Sequence, residues 1–132
     1  RVGEDWPVAF CNNDLNASNV MQHIDTGEVL LIDFEYGGPN YRAFDIANHF
    51  NEYAGGTDTG RPDYTCFPSD EDMRRWCEVY LREFLRQVDG SLAASSQVDG
   101  SLLDDLLHQV RIFVLINHWY WGVWAVCMAS LD

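Results

Sequence analysis

The feature that most constrains this 132-residue chain is a pair of polar loops held one hairpin apart, between Phe10 and Glu52. Val20 to Ile24 and Glu28 to Ile32 are strand-like runs, and Asp25-Thr26-Gly27 between them is hairpin turn chemistry. Folding there sets the segment Cys11 to Asn19 beside Ile32-Asp33-Phe34-Glu35-Tyr36 and puts Asp14, Asn19 and Asp33 on one rim. Two carboxylates and an amide oxygen suit a hard divalent cation, since Mg²⁺ takes oxygen ligands and is usually shared between one or two carboxylates and a substrate's phosphates. One acid then remains for base chemistry.

The flanking sequence predicts an α+β unit rich in helix. Val8 to Cys11 reads as a short buried strand entering the first polar loop. A Gly-Gly-Pro-Asn loop follows the second, and Ala43 to Ala54 has nearly helical apolar spacing, which places Asp45, Asn48, His49 and Glu52 on the helix flanks. Gly55-Gly56 ends that helix. Thr57 to Phe67 is a polar loop. Ser69 with Asp72 forms a capping-box pattern ahead of a helix whose buried stripe is Met73, Trp76, Cys77, Tyr80, Leu81, Phe84, Leu85 and Val88, closed by Gly90. Gln87-Val88-Asp89-Gly90-Ser91-Leu92 recurs as Gln97 to Leu102, a duplication that lengthens a loop, since two copies cannot stack into a solenoid. Ser101, with Asp104 as partner, is read as the cap of a last helix running through Leu103, Leu106, Leu107, Val110 and Phe113 towards Ser130. From Ile112 to Ser130 there is no formal charge. That run is close to the roughly 20 residues needed to cross a bilayer. Asn117 and His118 in mid-run and the absence of a basic far flank argue for a core helix and against a membrane span.

Net charge excludes some partners. At −13 the chain is a poor match for nucleic acid or an anionic membrane surface. All eight basic residues are Arg, and no GxGxxG occurs among the ten glycines. Cys11, Cys66, Cys77 and Cys127 form no CxxC pair, so they read as reduced thiols, which fits a cytoplasmic protein.

Asn13-Asp14 followed by Asn19 resembles the catalytic loop of kinase-like phosphotransferases, with Asp33-Phe34-Glu35 standing where those folds carry a second metal-binding Asp. The longer run Ile32 to Tyr36, with Asn40-Tyr41-Arg42, Phe44 to Phe50 and Glu52, is similar to the signature of the choline/ethanolamine kinase family. Near the C-terminus, His118-Trp119-Tyr120-Trp121-Gly122-Val123-Trp124 resembles the family's core helix. The sequence departs from the family at Asn12, where His is usual, and at Pro39, where an aromatic is usual; the first bears on how rigidly Asp14 is held.

The resemblance implies the mainly helical C-terminal lobe of a protein-kinase-like fold, its hairpin carrying the catalytic and metal loops. Residues 1–132 are then part of a larger enzyme, whose separate β-rich lobe would supply the Lys and Gly-rich loop that hold nucleotide phosphates. It implies Asp14 as catalytic base, Asn19 and Asp33 as Mg²⁺ ligands, and ATP as co-substrate. Tyr36, Glu52, Trp121 and Trp124 would bind the amino-alcohol, whose cation an aromatic face attracts; core packing is the alternative for the two Trp. Glu35 either touches a second ion or pairs with Arg42. The activity implied is phosphorylation of ethanolamine, or choline, the first step of the cytidine-diphosphate branch of phospholipid synthesis, with a homodimer allowed. The segment from Asn48 to Gly55, with Asp63-Tyr64 and Phe67-Pro68, is more similar to the ethanolamine branch. Two other readings compete: a non-catalytic truncated product that keeps the fold, favoured for the isolated chain by the absent Lys, and a metal-dependent phosphohydrolase, disfavoured because Asp33 is followed by Phe34-Glu35 and makes no Asp-x-Asp nucleophile motif.

Overall fold

The computed structural model describes residues 6–55, 60–89 and 97–130. They form two compact units, one made of the chain up to Phe67 together with Val110 onward, the other of Pro68–Gln109.

The first unit is organised by two antiparallel strand pairs. β1 (Val8–Cys11) pairs with β4 (Gly38–Tyr41), Cys11 lying opposite Gly38 and Val8 opposite Tyr41. β2 (Val20–Gln22) pairs with β3 (Val29–Leu31) in the hairpin the sequence predicts. At its tip the His23 N–H donates to the Glu28 carbonyl at 2.8 Å, the Gly27 N–H to the His23 carbonyl at 2.9 Å, and Gly27 takes a φ of 71°. Two expectations change here. β1 is not a buried strand: Val8 and Phe10 are 61% and 70% exposed, and of its four residues only Cys11 is enclosed, since β1 and β4 form a two-stranded pair among the described residues and are not part of a covered sheet. Gly38 to Asn40 is not a loop but strand β4, since pairing with β1 satisfies the backbone that its turn-like composition disguised. Gly37 before it is required for space: a Cβ there would lie 2.9 Å from the Phe34 carbonyl oxygen, to which Gly37 itself donates at 2.8 Å.

α1 (Arg42–Glu52) follows β4 directly. Tyr41, at its N-terminus, makes no side-chain cap bond, and the Arg42 N–H is satisfied by the Pro7 carbonyl at 3.2 Å. Gly55, at a φ of 60°, donates to the Glu52 carbonyl and closes the helix as predicted; Gly56 lies outside the described residues. Ala43, Phe44, Ile46, Ala47 and Phe50 are buried. Phe44 meets Phe113 edge-on at 6.2 Å and Tyr120 at 5.6 Å, while Trp6 and Tyr41 close on Phe113 at 5.5 and 5.4 Å. The two buried rings, Phe44 and Phe113, each contribute about 1.5–3 kcal/mol. Asn48, expected on a flank, is fully buried, because its amide bonds with side chains of the last helix.

In the second unit α2 (Asp70–Phe84) starts at Ser69, whose hydroxyl accepts from the Asp72 N–H at 3.2 Å and donates to the Asp72 carboxylate at 2.7 Å. Met73, Cys77 and Leu81 are buried, whereas Trp76, Tyr80 and Phe84 are half-buried and stack in series at 5.8 and 6.2 Å. Leu85–Asp89 continues as a π-helical turn, and the proposed terminator Gly90 falls outside the described residues, as does the whole spacer between the repeats. α3 (Gly100–Ala129) is capped by Asp99 rather than Ser101: the Asp99 carboxylate accepts from the Ser101 N–H at 2.8 Å, and its carbonyl takes the Leu103 N–H. Asp104 is instead bonded to Arg74 at 2.7 Å.

By length and composition α3 could cross a membrane, with a mean hydropathy of 1.4 over its most apolar window. Packing is confined to its first half and one later position: Leu103, Leu106, Leu107, Val110 and Phe113 are buried, and Asn117 is enclosed against asparagines of α1, but only 11% of the apolar window is buried, so the expected core role does not extend along the whole helix.

Candidate active site

The catalytic-loop residues are held mainly by their backbones. Asp14 donates its N–H to Asn12 Oδ1 at 3.1 Å, and its carbonyl accepts from the Asn16 N–H at 2.9 Å, Asn16 Nδ2 at 3.2 Å and Asn19 Nδ2 at 2.9 Å. The Asp14 carboxylate, by contrast, has one long contact, 3.4 Å from Asn19 Nδ2. A pinned backbone with an uncommitted carboxylate is what a proton acceptor requires.

Asn12, where the family usually has His, is 3% exposed and joins the two polar loops: its Nδ2 donates to the carbonyls of Ile32 and Asp33 at 3.3 and 3.2 Å. Together with the bond to the Asp14 N–H, the Asn side chain therefore props the catalytic loop through three hydrogen bonds. Asn13 sits in the left-handed region at a φ of 66°, which Asn tolerates better than most residues. It donates to the Tyr36 carbonyl at 2.8 Å and accepts from Asn40 Nδ2 at 2.9 Å.

Asp45 completes the support. Its two carboxylate oxygens accept the backbone N–H groups of Asn12 and Asn13 at 2.9 and 2.7 Å. Burial raises the pKa of this carboxyl, against the lowering effect of those two amides and of His49. His49 is pushed down by burial, against a hydrogen bond with the Leu15 backbone and the charge of Asp45. Sequence reasoning placed Asp45 on a helix flank and gave it no role. The signal was present, since Asp45 lies inside the run shared with the family, but only the fold brings a residue 33 positions downstream onto the loop.

The hairpin register brings the proposed metal ligands into proximity. Val20 lies opposite Leu31, the Ile32 N–H donates to the Asn19 carbonyl at 3.0 Å, and Asp33 is next in line. Asn19 is 7% exposed, and its Nδ2 donates to the Asp14 carbonyl. Asp33 is exposed, at a φ of 55°. Among the described residues no group of three or more His, Cys, Asp or Glu side chains could hold a metal by itself. One carboxylate, Asp33, and one amide oxygen, Asn19, fit Mg²⁺, an ion that keeps waters and phosphate oxygens among its ligands.

Asp14, Glu35, Tyr36, Glu52, Trp121 and Trp124 line one cavity of about 520 Å³. Tyr36 meets Trp121 edge-on at 5.3 Å, and Trp121 meets Trp124 at 5.6 Å, so the three rings form a connected aromatic wall. Burial raises the pKa of Glu52, and the charge of Asp14 adds to the effect. Asn19 and Asp33 are not among the lining residues, although Asp14, Asn16 and Glu35, their neighbours in the two polar loops, are. Glu35 lines the cavity. Asn51, Pro62, Tyr64, Asn117 and His118 also line it. Sequence reasoning assigned no role to these five, although Asn51 directly precedes Glu52 and His118 opens the tryptophan motif.

A family model described as choline/ethanolamine kinase matches residues 4–131. Ethanolamine kinase 2 of Mus musculus is 41% identical over 122 residues, covering 92% of this chain and 29% of that protein. Ethanolamine kinase 1 of Mus musculus is 39% identical over 124 residues, covering 94% and 32%. The solved structure of an ethanolamine kinase from Plasmodium vivax superposes with a TM-score of 0.74 at 33% identity, over 94% of this chain and 29% of that one. The chain thus spans about a third or less of the length of the relatives it matches. With a family model matched over nearly all of its residues, the chain belongs to the choline/ethanolamine kinase family.

Proposed function

We propose that this segment is the phosphate-acceptor side of a longer ATP-dependent kinase that phosphorylates a small amino-alcohol, ethanolamine in preference to choline. Its architecture is that of the protein-kinase-like α+β fold, as in the solved relatives. The observation that carries the reading is the single cavity that sets Asp14 together with Glu52, Tyr36, Trp121 and Trp124. A hydroxyl needs a proton acceptor and an ammonium needs a carboxylate and aromatic faces, so the lining matches both ends of such a molecule.

In the reaction, the alcohol oxygen forms a bond to the γ-phosphorus of ATP while the bond from that phosphorus to the β,γ-bridging oxygen breaks. ADP leaves with the bond's electron pair. The hydroxyl proton passes to the Asp14 carboxylate and from there to solvent. Asn12 and Asp45 keep the loop in place, and Glu52 orients the ammonium. Mg²⁺ bound at Asp33 and Asn19 would neutralise phosphate charge. The chain has no Lys and no Gly-rich phosphate loop, so the remaining hold on the nucleotide belongs to the rest of the longer enzyme. Consumption of an amino-alcohol in this way supports a place in phospholipid synthesis and in the cytoplasm.

The preference for ethanolamine rests on chemistry and on relatives. A primary ammonium has three N–H donors whose burial unpaired is costly, so an enclosed acid is worth more to it than to a quaternary ammonium. Relatives at 38–41% identity are named ethanolamine kinases, whereas the human choline/ethanolamine kinase is 33% identical. The test is competition of the two amino-alcohols at equal concentration against the longer enzyme. A higher kcat/KM for ethanolamine is expected. A higher value for choline would overturn the preference, and no phosphorylation of either would overturn the activity.

A further inference from the structure

Three buried asparagines connect α1 to the helix that carries the cavity tryptophans. Asn48, Asn51 and Asn117 are 0%, 6% and 1% exposed. Asn51 Nδ2 donates to the Val114 carbonyl at 3.2 Å and to Asn117 Oδ1 at 2.8 Å. Asn117 Nδ2 donates to Asn48 Oδ1 at 2.8 Å, and that oxygen also accepts the Trp121 indole N–H at 2.7 Å.

The two ends of this relay fix its sense. An indole N–H can only donate and a backbone carbonyl can only accept, so the amides between them must all point the same way. Turning any one over would set donor against donor or acceptor against acceptor. The arrangement has a cost, since Asn48 Nδ2 and Asn51 Oδ1 are buried without a hydrogen-bond partner. Buried polar groups left unsatisfied are uncommon, and an apolar trio of the same volume would avoid them. Stability alone therefore does not account for the relay. What it accomplishes is orientation: Asn48 does not line the cavity, so the bond to it turns the N–H edge of Trp121 into the protein interior and leaves the ring's carbon surface to the cavity. Carbon surface is the part of an indole that attracts a cation.

We propose that Asn48, held by Asn117 and Asn51, is a positioning residue that locks Trp121 for recognition of the substrate's ammonium group. This inference rests on the amino-alcohol reading of the cavity. In the longer enzyme, Asn48→Leu is expected to raise KM for ethanolamine about fivefold to tenfold, within the roughly 2- to 30-fold that a lost cation–aromatic contact allows. KM for ATP and kcat are expected to stay within about twofold of wild type. In a Trp121→Phe background the same substitution is expected to have no further effect on KM, because Phe has no N–H to hold. An equal effect in both backgrounds would overturn the proposal, as would an unchanged KM. Should Asn48→Leu fail to fold, Asn48→Asp, which keeps an acceptor for both donors, is expected to retain the wild-type KM, and a tenfold rise would overturn the proposal. The relay has its own readout if the enzyme phosphorylates no amino-alcohol. In the nuclear magnetic resonance spectrum of the 132-residue chain, the Trp121 indole proton, identified by its loss in Trp121→Phe, is expected to exchange far more slowly than that of Trp119, which is 70% exposed. Equal exchange rates would overturn it.

Discussion

Replacing Asp45 with Ala removes both acceptors that fix the backbone of Asn12 and Asn13. A hydrogen bond to a charged group contributes about 1.5–3 kcal/mol, and a buried N–H left without a partner costs about 1–3 kcal/mol. Two such bonds are lost, offset in part because a half-buried carboxylate no longer has to be desolvated. The expected loss of stability is about 3 kcal/mol, a large share of the roughly 5–15 kcal/mol that holds a domain of ordinary size. Asp45→Asn keeps one carbonyl oxygen for one amide but sets its NH₂ against the other, so about 2 kcal/mol is expected. Urea unfolding followed by far-ultraviolet circular dichroism reads both. In the longer enzyme kcat is expected to fall as well, since the loop that carries Asp14 is released. A change below about 0.5 kcal/mol in Asp45→Ala would refute the claim that Asp45 holds the loop.

The pH dependence of amino-alcohol binding follows from Glu52. Its pKa is raised above 4.5 by burial and then by Asp14, so the folded protein holds a proton that the unfolded chain releases, and this group's contribution to stability falls as pH rises through that window. A bound ammonium favours the carboxylate, so ethanolamine is expected to bind more tightly as pH rises through the same window, with proton release visible by calorimetry in buffers of different ionisation enthalpy. Glu52→Gln is expected to abolish both effects; pH-independent binding by the wild type would contradict the assignment. The thiols are expected to separate by alkylation with iodoacetamide. Burial, then the charge of Asp45, pushes Cys11 up to about 12, and Cys77 is buried, whereas Cys66 and Cys127 are exposed. Mass spectrometry of the native chain should show Cys66 and Cys127 modified first, and early modification of Cys11 would contradict its enclosure.

Much of the fold was legible because its signals are local. The hairpin came from Asp25-Thr26-Gly27 between two β-prone runs, and α2 from Ser69 and Asp72 ahead of an apolar stripe. What escaped depends on partners distant in sequence. β4 was hidden because Gly38-Pro39-Asn40 has turn composition and becomes a strand only by pairing with β1. Asn48 looked like a surface amide until Asn117 and Trp121 met it from α3. The Ser101 cap was displaced by its neighbour Asp99 because both residues can cap and composition does not rank them. At the site, the family resemblance singled out Asp14, Tyr36, Glu52, Trp121 and Trp124, which line the cavity, and marked Asn12 as bearing on the loop, but gave no scaffold role to Asn13 or Asp45, since backbone hydrogen bonds leave no spacing pattern.

The central claim is that the Asp14 carboxylate takes part in phosphoryl transfer while its backbone holds the loop. Asp14→Asn separates these roles, because every bond under 3.4 Å made by Asp14 uses its N–H or carbonyl and survives the change. The measurement is ATP-dependent phosphorylation of ethanolamine by the longer enzyme with and without this substitution, alongside ethanolamine binding. In Asp14→Asn, kcat is expected to fall by about 100- to 10,000-fold, the usual contribution of a general base, with binding unchanged. A kcat within about threefold of wild type would contradict it.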